Sequence, residues 1–132
     1  MSVEQVYLLD SEGLSQWVRG DRRMGARIKD ADRADIPVVT TSMTLVEAYH
    51  AKLHRPAWRW ALSRLRVEPV TEQVADAAID LLQDAGLHGH KYAIDAVLAA
   101  VALRQPGRVT IFTSDEDDMR KLCGDRVVVV RL

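Results

Sequence analysis

Cysteine is all but missing from this 132-residue chain: Cys123 stands alone, so neither an internal disulfide nor a cysteine-built zinc site is open to it. A lone thiol suits a reducing compartment. Glycine (7) and proline (4) are too scarce for a collagenous or linker-dominated chain. No apolar run approaches the roughly 20 residues that a bilayer demands, and Glu4 stands where a signal peptide wants Lys or Arg. A cytoplasmic protein with no membrane association is therefore expected. A formal charge of −1 argues against coating of nucleic acid through bulk electrostatics. There is also no Ser-His-Asp order, no P-loop and no Gly-rich dinucleotide fingerprint, which removes the commonest hydrolase and nucleotide-binding signatures.

What is present is the material of an ordinary globular protein, 48% hydrophobic and 28% charged, with a length that suits one domain over residues 1–132. Repeats, low-complexity tracts and linkers are absent. The charge is segregated. Arg19 to Arg66 holds 11 basic and 5 acidic residues, whereas Val67 to Leu132 holds 7 basic and 11 acidic. Such blocks arise from a basic face beside an acidic site, or from solvated helix surfaces.

Short β-branched runs alternate with helical patterns. Strands are expected at Val3–Leu9, Pro37–Thr40, Arg66–Val70, Val109–Thr113 and Arg126–Leu132. Between Thr71 and Gly86 the apolar positions Val74, Ala77, Ala78, Leu81, Leu82 and Ala85 keep the 3.6-residue period, with Thr71 as N-cap and Gly86 as stop. Tyr92 to Leu103 is apolar except for Asp95, which predicts a nearly buried helix ended by Pro106-Gly107. Strands joined through helices cannot pair as hairpins. The sheet should thus be mainly parallel, of α/β type with both faces covered.

In such sheets ligands bind beyond the carboxyl ends of the strands, where strand order reverses. Asp10 follows Val6-Tyr7-Leu8-Leu9 and Asp115 follows Ile111-Phe112-Thr113-Ser114, both at that kind of position. Each also has a structural reading, Asp10 as a helix cap and Asp115 as an acid at the positive end of the helix Glu116 to Cys123. Asp95 is harder to explain structurally, because an ionised carboxylate among apolar residues costs several kcal/mol, roughly, unless a cation or donors meet it. Exposure to solvent or a basic neighbour is the alternative to a bound cation. Glu47 lies in Thr44-Leu45-Val46-Glu47, which fits a capping box reaching back to Thr44. If Asp10, Glu47, Asp95 and Asp115 converge, they make an all-oxygen site suited to Mg²⁺ or Mn²⁺ rather than zinc or copper.

Over essentially its whole length the chain resembles the PIN domains, and most closely the VapC-type toxin ribonucleases. The residues that carry the resemblance are Val6-Tyr7-Leu8-Leu9-Asp10, Thr44-Leu45-Val46-Glu47-Ala48, Ile94-Asp95-Ala96-Val97-Leu98-Ala99-Ala100 and Thr113-Ser114-Asp115-Glu116-Asp117-Asp118. The resemblance implies a three-layer α/β/α fold around a five-stranded parallel sheet of order 3-2-1-4-5. It also implies an Mg²⁺- or Mn²⁺-dependent endoribonuclease, held silent by a cognate antitoxin and expected as a homodimer. Its catalytic and metal-binding residues would be Asp10, Glu47, Asp95 and Asp115, with Asp118 as a further metal ligand and Asp117 as another candidate. One departure is Asp10-Ser11-Glu12-Gly13, where many members carry a small residue followed by Ser or Asn. Glu12 either joins the acids or faces solvent while Ser11 supplies a hydroxyl.

Other groupings have weaker claims. Glu47, His50 and His54 have spacings that would share one helix face, but without the adjacent His-Glu of a zincin. His88-Gly89-His90-Lys91 reads as a solvated loop, or as donors to a phosphate. Trp58 and Trp60 interleave with Arg55, Arg59, Arg64 and Arg66, a mixture typical of RNA-binding surfaces and equally of protein interfaces; an antitoxin or dimer contact is the preferred reading. Two competing functions remain. A flavodoxin-like phosphoacceptor needs an acceptor Asp after the third strand, where Thr71, Glu72 and Gln73 stand instead. A catalytically inactive PIN-like protein-interaction domain would not need the full set of acids.

Overall fold

The computed structural model describes residues 4–132. Its elements run β1 (Gln5–Leu9), α1 (Ser11–Val18), α2 (Arg22–Arg33), β2 (Val38–Thr41), α3 (Ser42–Ala48), α4 (Arg55–Arg64), β3 (Arg66–Glu68), α5 (Glu72–Ala85), α6 (Gly89–Leu103), β4 (Arg108–Thr113), α7 (Glu116–Cys123) and β5 (Val128–Arg131). The five strands form one parallel sheet in the order β3-β2-β1-β4-β5, the order that the resemblance implies. Strand order reverses between β1 and β4, where Leu8 pairs with Ile111 and Leu9 with Phe112.

The period of two along each strand sends alternate side chains into two cores. Val6, Leu8, Val109, Ile111 and Val129 enter one core, under α5, α6 and α7. Tyr7, Leu9, Phe112 and Val130 enter the other, with Leu14, Trp17 and Met24 from α1 and α2 and Ala61 from α4. Helices therefore cover both faces. Burial of a side chain such as Leu8 or Ile111, neither of which retains any solvent exposure, contributes about 1.5–3 kcal/mol.

The N-cap and stop of α5 are as the sequence predicts: Thr71 Oγ1 accepts from the Val74 amide at 3.2 Å, and Gly86 turns left-handed at φ 67°. Other boundaries differ. Val3, expected in β1, lies outside the described residues. Strand β2 begins one residue after Pro37, whose missing N–H cannot join the ladder, and β3 stops at Glu68 because Pro69 follows. β5 is confined to Val128–Arg131, shorter than the run Arg126–Leu132.

Helix α6 starts at Gly89 rather than Tyr92, so His90 and Lys91 belong to its first turn and not to a loop. It is less uniformly buried than its composition suggests. Ala93 and Ile94 are exposed, and the buried stretch begins at Ala96 and continues through Leu98 to Ala102. The small side chains of Ala96, Ala99, Ala100 and Ala102 let this helix lie close to the sheet. After it, Gly107 crosses at φ 78°, and a Cβ there would collide with the carbonyl of Glu4.

Candidate metal centre

The carboxyl ends of β1 and β4 meet through Asp10. Its Oδ1 accepts from the Gly13 amide at 2.8 Å, and its Oδ2 accepts from the Ser114 amide at 2.9 Å and the Ser114 hydroxyl at 3.4 Å. Asp10 thus caps α1, as one reading of the sequence held, and also ties the first strand to the fourth. It is 6% exposed. Burial raises its pKa, hydrogen bonds from Gly13, Ser114 and Thr113 oppose that rise, and the charge of Asp115 adds to it. Beside it, the Thr40 hydroxyl donates to the carbonyl of Leu9 at 2.9 Å, fixing β2 to the residue before Asp10.

Asp95 faces the other acids from the first half of α6. Its carboxyl is pushed up to about 7, first by burial and then by the charges of Asp115 and Asp118, a hydrogen bond with Asp115, and the charge of Glu47. Asp95 thus has acids of α3 and of the β4–α7 junction near it. Asp115 occupies the N-cap position of α7 without a capping bond from its side chain, and its amide donates to Thr113 Oγ1 at 2.9 Å. Its carboxylate is therefore not committed to the helix end.

Glu47 is not part of a capping box. The N-cap of α3 is Thr41, whose Oγ1 accepts from the Thr44 amide at 3.0 Å and lies 2.9 Å from the Thr44 hydroxyl. Thr44 is therefore inside the helix, and Glu47 is exposed in its last turn. The histidine grouping dissolves for the same reason, since α3 ends at Ala48 and α4 begins at Arg55, leaving His50 and His54 off any shared helix face. Glu12 turns to Arg19, with which it forms a salt bridge of 3.1 Å. Asp117 lines a polar recess of about 300 Å³ with Asp115, Glu116, Asp118 and Arg131, but it is not among the charges acting on Asp95. Sequence reasoning missed the supporting hydroxyls. Thr113 and Ser114 stand directly before Asp115, and that adjacent pair of hydroxyl residues at a strand end was the available signal.

The donor chemistry can be tested against a hard divalent cation. Among the described residues the salt bridges join Arg19 to Glu12, Arg33 to Asp30, Arg66 to Glu68 and Arg120 to Glu116. None engages Asp10, Glu47, Asp95, Asp115 or Asp118. Among the described residues these acids therefore form no salt bridge, and their oxygens are the ligand type that Mg²⁺ and Mn²⁺ take. Among the described residues no three His, Cys, Asp or Glu side chains are already grouped tightly enough to hold a metal ion. The residue types fit a hard divalent ion.

A second feature lies on the α1–α4 face. A groove of about 610 Å³ runs along Trp17, Ile28, Ile36, Trp60 and Arg64. Trp17 and Trp60 meet edge to face at 5.6 Å between ring centroids, and the Arg64 guanidinium lies 5.5 Å from the Trp60 ring. No described helix is long and apolar enough to cross a membrane.

Comparison with known proteins adds a family and a set of folds. The model of the PIN domain matches residues 7–125. No curated protein matches the chain. Several solved structures are similar, three of which follow. VapBC2 from Rickettsia felis, solved with a DNA fragment from their promoter, aligns with a TM-score of 0.73 at 14% identity, covering 96% of this chain and 98% of that one. A toxin–antitoxin complex from Klebsiella pneumoniae gives 0.65 at 23%, covering 94% and 95%. FitAcB from Neisseria gonorrhoeae gives 0.69 at 23%, covering 93% and 95%.

Proposed function

The chain belongs to the PIN domain family, and from that premise we propose that it is an Mg²⁺- or Mn²⁺-dependent endoribonuclease, the toxin of a toxin–antitoxin pair acting in the cytoplasm. The observation that carries this reading is Asp95, surrounded by the charges of Asp115, Asp118 and Glu47 at the carboxyl edge of the sheet and in no salt bridge among the described residues. A bound divalent ion supplies Lewis acidity and makes water a stronger nucleophile at neutral pH. Asp10, Glu47, Asp95, Asp115 and Asp118 are the residues that would hold it. Asp10 is positioned for this by the amides of Gly13 and Ser114. The Asp95 carboxyl is pushed up to about 7, so near neutrality a bound cation would favour its ionised form.

The antitoxin enters by analogy, since a toxin–antitoxin complex is among the similar structures. The groove beside Trp17, Trp60 and Arg64 suits an apolar segment of such a partner, because aromatic and arginine anchors dominate protein interfaces. A homodimer belongs to the same proposal, and exposed Met43, Val46 and Ile79 are the apolar side chains it would cover.

Purified protein incubated with single-stranded RNA tests the nuclease reading. Cleavage should require Mg²⁺ or Mn²⁺, cease in EDTA, and be lost in Asp10→Asn, Glu47→Gln and Asp95→Asn while each variant stays folded. Unchanged cleavage by Asp95→Asn would refute the assignment; no cleavage by the wild type in either metal would leave an inactive interaction domain.

A further inference from the structure

Trp58 and Trp60 are two residues apart and serve different surfaces. Trp60 belongs to the large groove with Trp17, whereas Trp58 lines a separate recess of about 170 Å³ with Tyr49, Leu53, Arg55 and Arg59. Tyr49 is the C-cap of α3 and is 61% exposed, and among the described residues its ring meets no other aromatic ring. Arg55 and Arg59 stand one turn apart on α4, so their like charges repel. No carboxylate lines the recess, and among the described residues neither arginine forms a salt bridge. The pair lacks an anion.

Its position gives this chemistry a context. Tyr49 follows Glu47 by two residues, so their α-carbons are at most about 7.6 Å apart. The recess therefore begins close along the chain to Glu47, the acid of α3.

We propose that this recess takes an unstacked base of single-stranded RNA beside the scissile phosphodiester, with Tyr49 and Trp58 offering ring surface and Arg55 and Arg59 meeting a flanking phosphate. The inference rests on the nuclease reading and adds to it a base-binding subsite. Exposed aromatic surface with arginines is the equipment for splayed bases, and duplex RNA keeps its base faces covered. RNA is favoured over an antitoxin segment here because both cations are free and the larger apolar groove lies elsewhere, at Trp60.

The test measures KM and kcat for cleavage of a single-stranded oligoribonucleotide and of a series carrying one abasic site at successive positions. Tyr49→Ala should raise KM about tenfold with kcat little changed, since losing one base–aromatic stack has an effect of that order. Tyr49→Phe should behave as wild type. Arg59→Ala should reduce the salt dependence of binding by about one unit of slope. One abasic position near the cleavage site should raise KM in the wild type and have no further effect in Tyr49→Ala. Wild-type cleavage with no abasic position whose effect depends on Tyr49 overturns the base-binding subsite alone. Absence of wild-type cleavage overturns the nuclease reading and the subsite with it. If Tyr49→Ala and Arg59→Ala cleave normally but escape neutralisation by the antitoxin, the recess is a protein contact and the proposal is refuted. Tyr49 is exposed, so an unchanged melting temperature is expected and separates these outcomes from misfolding.

Discussion

The two faces of the sheet are built from different materials. Under α5, α6 and α7 the core is aliphatic and small, with Ala78, Ala96, Ala99, Ala100 and Ala102 among Val6, Leu8 and Ile111, and at Val6, Leu8 and Ile111 it is closed to solvent. Under α1 to α4 the core is aromatic, with Trp17, Trp58, Tyr7 and Phe112, and its surface opens into the two recesses that Trp60 and Trp58 line. The arginines follow the second face, Arg27 stacking on Phe112 at 5.0 Å and Arg64 on Trp60. One face is mainly aliphatic packing; the other carries exposed aromatic and arginine side chains around its recesses. The acids sit between them, at the strand ends.

Three substitutions sharpen this contrast, in descending order of effect. Asp95→Asn, at the boundary, should lower RNA cleavage by about a hundredfold or more, the scale of losing one preorganised electrostatic contact in a reaction, read from single-turnover rates at saturating Mn²⁺. Leu8→Ala, in the closed core, should destabilise the fold by about 2–5 kcal/mol through lost burial and the cavity left behind, measured by urea unfolding. Trp60→Ala, 53% exposed on the open face, should cost about 1 kcal/mol or less, mainly its edge-to-face contact with Trp17, while weakening antitoxin binding. Equal losses of stability at Leu8 and Trp60 would break the distinction between the faces.

The boundary carries its own pH signature. In the metal-free folded chain the Asp95 carboxyl is pushed up to about 7 from its ordinary 3.8, so the folded state binds more protons than the unfolded state between these values. Stability from this group is therefore greatest below the unfolded pKa and declines as pH rises toward about 7, where it levels off. Urea unfolding in EDTA across this range should show the decline in the wild type and a shallower one in Asp95→Asn. An identical pH dependence of the two proteins would contradict the burial and neighbouring charges that raise the Asp95 carboxyl.

Much of this architecture was legible in the sequence, because parallel strands buried on both faces write continuous β-branched runs such as Val109–Thr113, and α5 carries both its cap and its stop. The acids were legible for a similar reason: Asp10 and Asp115 follow apolar runs, and Asp95 interrupts one. The details that depend on tertiary partners were not legible. Thr44-x-x-Glu47 has the form of a capping box, yet Thr41 is the cap because β2 runs on to that residue and its hydroxyl reaches the Thr44 amide first. The separation of Trp58 from Trp60 depends on which way α4 lies against Trp17, and spacing alone cannot express that.

The central claim is that the acids form a cation site rather than a structural ion-pair network, and thermal melts of wild type and Asp95→Asn, each in EDTA and in Mn²⁺, test it without a substrate. Ligand that binds only the folded form raises its melting temperature, and removing one charge from a repelling cluster relieves the empty site. The account predicts that Mn²⁺ raises the wild-type melting temperature, that Asp95→Asn melts at the same or a higher temperature in EDTA, and that its response to Mn²⁺ is reduced. Destabilisation of Asp95→Asn in EDTA with an undiminished metal response would contradict it.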